Sequence, residues 1–346
     1  MISPSTHANW KQLVLRHETV LLALVVAEWV YFNGVGARFG TLNNTFDILR
    51  HSVEIGLLAV ALTPVILTGG IDLSVGSLLG LCAVVFGKLW RDAGLSLPVA
   101  MTLTLALGAL AGGLNATLIT RLKLPPLIVT LGTFSLFRGL AEAITRGVDT
   151  FTGFPAVFLF WGQERWLGVP AQAPVFVAVA VAMWLLVHRT TFGRSVRAIG
   201  FSPEGARYAG LPVERRVAAA YVLAGTIAAL AAVIYTARLG QAKADAGTGY
   251  ELFAITAVVL GGTSIFGGRG SVHGTLLGVA AIAVLNNGLV HARLPREAAG
   301  VLTGVLLVLA LASGVLPKVW SDWRARRAAA MRVKKERHFL TTDEHG

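Results

Sequence analysis

Residues 188–216 read HRTTFGRSVRAIGFSPEGARYAGLPVERR, a basic stretch between two long apolar runs. A connection of this length between apolar segments is expected to carry a task of its own. Within it, Ser202 is placed to cap a helix and Pro203 to occupy its first position. Glu204, Gly205, Ala206 and Arg207 continue that helix, Gly210 ends it, and Pro212 follows soon after. The spacing predicts a short, solvent-facing helix over 203–209, flanked by arginines, on which a soluble partner can dock. A solvated loop, kept on one side of a membrane by its charge, is the competing reading of the same residues.

The rest of the chain decides what lies around that loop. Of 346 residues 55% are hydrophobic and only 14% charged, and the mean hydropathy is +0.68. Soluble domains carry about 25% charged residues, so this is a polytopic membrane protein. The net charge of +12 sits at the ends of apolar runs rather than in one stripe, which argues against nucleic acid as a partner. Cys82 is the only cysteine. That excludes an intrachain disulfide and a cysteine metal site.

Segments long and apolar enough to cross a bilayer are expected at 19–32, 48–67, 73–90, 97–119, 127–144, 174–187, 218–237, 252–260, 275–290 and 298–316. The fold class is therefore an all-α polytopic membrane protein of about ten helices. The organisation is an N-terminal segment 1–18, a membrane domain 19–316 and a basic tail 317–346. The first apolar run, preceded by Lys11 and Arg16, has the look of a signal peptide. No A-x-A pattern follows it, and an uncleaved span is expected. Ten spans put both termini and the 188–216 loop on one side, which then holds 19 of the 30 Lys and Arg against 10 opposite. By the positive-inside rule that side is cytoplasmic.

Ionisable groups inside spans are functional candidates by default. Arg138 and Glu142, four apart on one helix face, read as a neutralising pair. Glu28 and Glu54 lie within a turn or two of the outer edge and are expected to snorkel. At 69–77, GGIDLSVGS joins two spans with almost no polar connection. There Asp72 or Ser74 either caps the next helix or, with Gly69 and Gly70, forms a break beside the conduit. Asn115, Asn286 and Asn287 are candidate polar groups of a pathway, or equally of interhelical hydrogen bonds. The glycine-rich link at 261–274 lacks the G-x-x-x-x-G-K-[ST] of a phosphate loop. No metal-ligand cluster and no catalytic Ser/His/Asp set is visible, so the chain is expected to be neither a metalloprotein nor an enzyme.

Four of these stretches, GGIDLSVGS (69–77), VTLGT (129–133), FGR (192–194) and VLGGTS running to GS (259–271), resemble the ribose-type ABC importer permeases. The family serves ribose, xylose, arabinose, galactose, rhamnose and the signal autoinducer-2. The motifs stand in family order and cover about 49–316. SLPVA at 96–100, LPP at 124–126 and FRG at 137–139 look closest to the rhamnose and autoinducer-2 branches. The resemblance implies an inner-membrane permease with no ATPase of its own and no cofactor, ATP being bound by partner subunits. It further implies a second permease subunit, identical or not, and a periplasmic sugar-binding protein. It makes Ser202 to Leu211, with Phe192, Gly193 and Arg194 just before, the helix on which the ATP-binding subunits dock. A stand-alone, ion-coupled sugar carrier is the alternative; the absence of an ionisable relay counts against it.

Overall fold

The apolar runs fold as helices because a backbone inside a bilayer must satisfy its hydrogen bonds within its own segment. The computed structural model describes residues 17–36, 38–294, 300–302 and 304–309. Lys11, Arg16, the tail 317–346 and about half of the expected span at 298–316 lie outside the described residues. The helices are α1 (His17–Val35), α2 (Leu42–Leu67), α3 (Val75–Arg91), α4 (Leu97–Thr120), α5 (Pro126–Thr145), α6 (Ala156–Gln163), α7 (Ala173–Arg189), α8 (Thr191–Phe201), α9 (Pro203–Tyr208), α10 (Val213–Leu239), α11 (Tyr250–Leu260) and α12 (Val272–His291).

Six of these, α1, α2, α4, α5, α10 and α12, are long and apolar enough to cross a membrane, and α7 with α8 makes a seventh candidate bent by 66°. The other expected spans are also helical, but α3 has 17 residues and α11 has 11. Gly300–Leu309 is a shorter apolar helix at the tenth position. The all-α polytopic class stands. Among the described residues six helices meet the length test, or seven if the bent α7–α8 pair is one span, against the ten expected.

At the centre lies α2, 26 residues and about 39 Å long at 1.5 Å per residue. Thr41 caps it, its side chain accepting from Asn44 N–H at 3.3 Å. From Leu57 to Leu62 every residue is buried, so α2 is apolar all round because protein surrounds it. It packs against α7, α10, α11 and α12. The outer helices differ: α1 exposes Val20, Val26 and Val30, and α5 exposes Ile128 and Leu131, apolar faces suited to lipid. Lipid gives no hydrophobic drive for helices to associate, so close packing of small residues does that work. On α4 and α10 a Cβ added at Gly225 would lie 2.2 Å from the carbonyl oxygen of Gly108.

The loop 145–172, polar and aromatic in sequence, carries short elements of its own. Its β1 (Phe151–Thr152) pairs antiparallel with β4 (Gln241–Ala242), and β2 (Arg165–Trp166) pairs with β3 (Val169–Pro170). Phe154 stacks on Phe86 at 5.7 Å and on Trp90 at 4.9 Å, while Arg91 lies 4.1 Å over the ring of Phe151. These contacts tie the loop to the last turns of α3, at the end of the bundle opposite the 188–216 segment.

Two expectations about intramembrane charge are corrected. Among the described residues Arg138 forms no direct salt bridge with Glu142, which stays a charged neighbour together with Glu251 and Asp245; the guanidinium donates to the carbonyl oxygens of Ala244 and Ala246. Glu54 does not snorkel. It is fully buried and pairs with Arg238 at 2.6 Å, because desolvation makes an unpaired charge there too costly. Glu54→Ala leaves Arg238 unpaired and is expected to cost about 3–5 kcal/mol, lowering the thermal midpoint of the detergent-solubilised protein by several degrees. The double variant Glu54→Leu/Arg238→Leu should recover most of that loss. An unchanged midpoint in Glu54→Ala would show that the pair does not hold the helices.

Candidate functional site

The 188–216 segment folds into two short helices set across the end of the bundle. α8 turns away from α7 by 66°, started by Thr190, whose hydroxyl accepts from Phe192 N–H at 3.1 Å. Phe192, Val196 and Ile199 are buried while Arg194 is exposed, the i, i+4, i+7 spacing of an amphipathic helix. Ser202 then caps α9, accepting from Gly205 N–H at 3.0 Å, with Pro203 at the first position. Ala206 sits in a small apolar cluster with Ile199 and Val213, flanked by Leu211. Gly210 takes φ +77°, and Arg207 ties α9 to Glu214 of α10 at 2.8 Å. This is the helix the spacing predicted, one residue shorter.

Its surface differs from the expected set of docking residues. Phe192, Gly193 and Ala206 are buried; they build the platform and do not present it. Ser202, Pro203, Glu204, Gly205, Arg207 and Gly210 are exposed. The largest exposed groups were not singled out from sequence: Tyr208 is 93% exposed and Phe201 64%. α8 was also missed, although the spacing of Phe192, Val196 and Ile199 carried its signal.

The platform meets the centre of the bundle at one backbone junction. Gly268 N–H donates to the carbonyl oxygen of Leu67, the last residue of α2, at 2.9 Å. Gly200 of α8 fits against both: a Cβ there would lie 2.0 Å from that oxygen and 2.2 Å from Gly268 N. Val272 N–H donates to His188 Nε2 at 3.2 Å, so the link 261–274 is also anchored to the end of α7, just before the platform.

Directly beyond Leu67 comes the break. Gly69 has φ +84°, and the chain runs without regular structure to Ser74. Asp72 is buried, and its Oδ1 accepts from Ser74 N–H at 2.9 Å and from Ser74 Oγ at 2.6 Å. Asn115 Nδ2 of α4 donates to the same Ser74 oxygen at 2.9 Å, and Thr130 Oγ1 of α5 donates to Ile71 O at 3.1 Å. The hydroxyl of Tyr221 closes over Gly70, where a Cβ would lie 2.5 Å from it. Gly69, Gly70, Asp72, Ser74 and Asn115 are thus one assembly, with Asp72 turning the chain into α3.

Asn286 and Asn287 lie elsewhere, near the opposite end of α12. Asn287 exchanges two amide hydrogen bonds with Asn44, at 2.9 and 3.0 Å, so it joins helices as the second sequence reading held. Both line a cavity of about 640 Å³ among α2, α10, α11 and α12. Among the described residues no group of three or more His, Cys, Asp or Glu is placed to hold a metal ion, and Cys82 is buried.

A helical bundle with lipid-facing apolar sides, a buried break and a platform across one end is the architecture of a membrane permease. Residues 44–311 match the family described as branched-chain amino acid transport system, permease component. The chain is 39% identical over 319 residues, 90% of its own length and 96% of theirs, to the autoinducer 2 import system permease protein LsrD of Escherichia coli K12 and of Shigella flexneri. No solved structure matches it. The chain belongs to this family of transport-system permeases: it is the membrane-spanning permease subunit of an ABC importer and not an ATPase.

Gly200→Val tests the junction, since a branched side chain there must push α8 off Leu67. We expect the variant to insert but to lose transport by at least about tenfold, and a cysteine placed at the buried Thr263 to become newly accessible to a thiol reagent. Gly113→Val, on an open part of α4 with only a Val222 methyl at 4.0 Å, should leave both unchanged. Full activity in Gly200→Val would remove the junction from the mechanism.

Proposed function

We propose that this permease imports a neutral, sugar-like signal, with autoinducer 2 the leading candidate, using ATP-binding subunits docked on α8 and α9. The observation that carries this is the position of α9. It is a capped, exposed helix one backbone junction away from the break at 68–74. The support for the cargo is the similarity to LsrD, whose name assigns it to an autoinducer 2 import system. In this reading the 188–216 face is cytoplasmic, with both termini beside it, and ATP is bound by the partners alone. A second permease chain, identical or a sister, completes the pathway, and a periplasmic sugar-binding protein delivers cargo to the opposite end.

The mechanism follows from mechanical connection. Closure of the ATP-binding subunits moves α9, and Arg207–Glu214 together with the Ile199–Ala206–Val213 cluster makes α8, α9 and the start of α10 move as a unit. Gly200 transmits that motion to Leu67 and Gly268. The hydrogen bonds of Ser74 with Asp72 and Asn115, and of Thr130 with Ile71, then hold or release the break at the cytoplasmic mouth. ATP acts by favouring one of two such arrangements, and its effect cannot exceed its differential affinity for them.

Tyr208 and Glu204 are the side chains to change, because both are exposed and neither has a hydrogen bond or ion pair among the described residues. Exposed aromatics that become buried on docking are common hot spots, worth about 2 kcal/mol or more. Tyr208→Ala/Glu204→Arg should therefore reduce recovery of the ATP-binding subunit with the permease by about thirtyfold or more, with the permease inserted at wild-type level. Undiminished recovery would remove α9 as the contact. Uptake by this chain alone, driven by an ion gradient, would establish the stand-alone carrier instead.

A further inference from the structure

We infer that the cavity at the end of the bundle opposite the platform is a low-affinity binding site for an uncharged, polyhydroxylated small molecule of monosaccharide size. The inference rests on the importer reading and gives the cargo its first contact with this chain. The cavity's volume is about 640 Å³, within the roughly 300–1,000 Å³ usual for small-molecule sites. Four helices wall it, and the polar groups come from all of them: His51 from α2, Arg238 from α10, Tyr250 from α11 and Asn286 from α12.

The chemistry of that lining selects the ligand. Asn286 Oδ1 is buried with no hydrogen-bond partner among the described residues, whereas the neighbouring Asn287 is tied on both sides by Asn44. An unpaired buried acceptor is held at a cost, and a hydroxyl donor from a ligand removes it. Hydrocarbon does not, which disfavours a lipid chain as the occupant. The one formal charge in the lining, Arg238, is neutralised by Glu54 at 2.6 Å, so neither an anion nor a cation gains from entering. Arg238 spends its Nε on that pair and also engages the Tyr250 hydroxyl, which sets these two groups side by side in the lining; His51 spends Nδ1 on the Asp47 carbonyl at 2.7 Å and retains Nε2. Phe253 and Tyr250 add aromatic surface for the C–H faces of a sugar ring. A few polar contacts over an apolar floor bind weakly, as a compartment that must release its cargo requires.

The single native cysteine makes the test clean. Cys82 is fully buried, so a cysteine introduced at Asn286 reports alone to a charged, membrane-impermeant methanethiosulfonate applied from the outer side. In the full complex we expect Asn286→Cys to react, and D-ribose, L-rhamnose or autoinducer 2, supplied at tens of millimolar, to slow that reaction at least severalfold. Gluconate should give no protection, and Val148→Cys, at a position 84% exposed, should react equally with and without sugar. Asn286→Leu should cut ATP-driven uptake about tenfold, the loss of one hydrogen bond to a buried acceptor, with ATPase recovery unchanged. Failure of Asn286→Cys to react while Val148→Cys does would mean that lipid or a partner helix fills the cavity, and would overturn the site. Reaction that no neutral sugar slows would overturn it as well. If the wild-type complex imports none of the three with ATP, the importer reading fails on its own, and the protection experiment still decides the site.

Discussion

A peptide group inside a bilayer has no water to bond, so every departure from helix has to be satisfied by protein. The segment 68–74 departs from helix, and the surrounding elements are arranged to cover it. Gly70 N–H bonds back to Val65 O at 3.2 Å, Thr130 of α5 donates to Ile71 O, and Asp72 takes the N–H of Ser74. The turn after β4 is handled the same way, with Arg138 of α5 donating to two of its carbonyls. Thr130 and Arg138 of α5 thus serve irregular backbone on neighbouring segments and Asn115 of α4 holds the Ser74 hydroxyl within the break, while Thr104, Thr117, Thr133 and Thr145 bond carbonyls of their own helices. A stretch held by side chains from other helices can rearrange when those helices shift, which a continuous helix does not do.

Charge obeys the same economy. Glu54 and Arg238 meet across α2 and α10 in a buried pair, and Asp72 is satisfied by the hydroxyl and amide of Ser74. Such pairs add little net stability over apolar residues but are strongly destabilising when broken. Their effect here is to set the register of α10 against α2. Along α10 that register positions Arg238 at the cavity and Tyr221 over the break.

The proposed coupling route puts these parts in series. The platform α8–α9 is rigid within itself, since its cap, its apolar cluster and the Arg207–Glu214 pair all lie between adjacent segments. It reaches the break through backbone rather than through long side chains, at Gly200, Leu67 and Gly268. A backbone contact transmits displacement with little slack, because close-packed interiors deform poorly. The match to transport-system permeases over 44–311 covers all of these elements.

The sequence by itself determined the membrane class, the position of nearly every helix, and the Ser202-capped helix with its proline start and glycine end. Those features are local: apolar run length, capping residues and turn residues act within a few positions of one another. It also singled out Asp72, Ser74, Asn115, Asn286 and Asn287 as polar residues within apolar runs, while leaving open what each one does. Only the tertiary structure decided that Asn115 holds Ser74, that Asn287 pairs with Asn44 and leaves Asn286 free, and that Arg138 turns from Glu142, four residues away, to carbonyls more than a hundred residues on. The reason is physical. A polar side chain in a low-dielectric interior goes wherever an unsatisfied partner is brought to it, and which partner arrives is settled by how the helices pack, not by spacing along the chain.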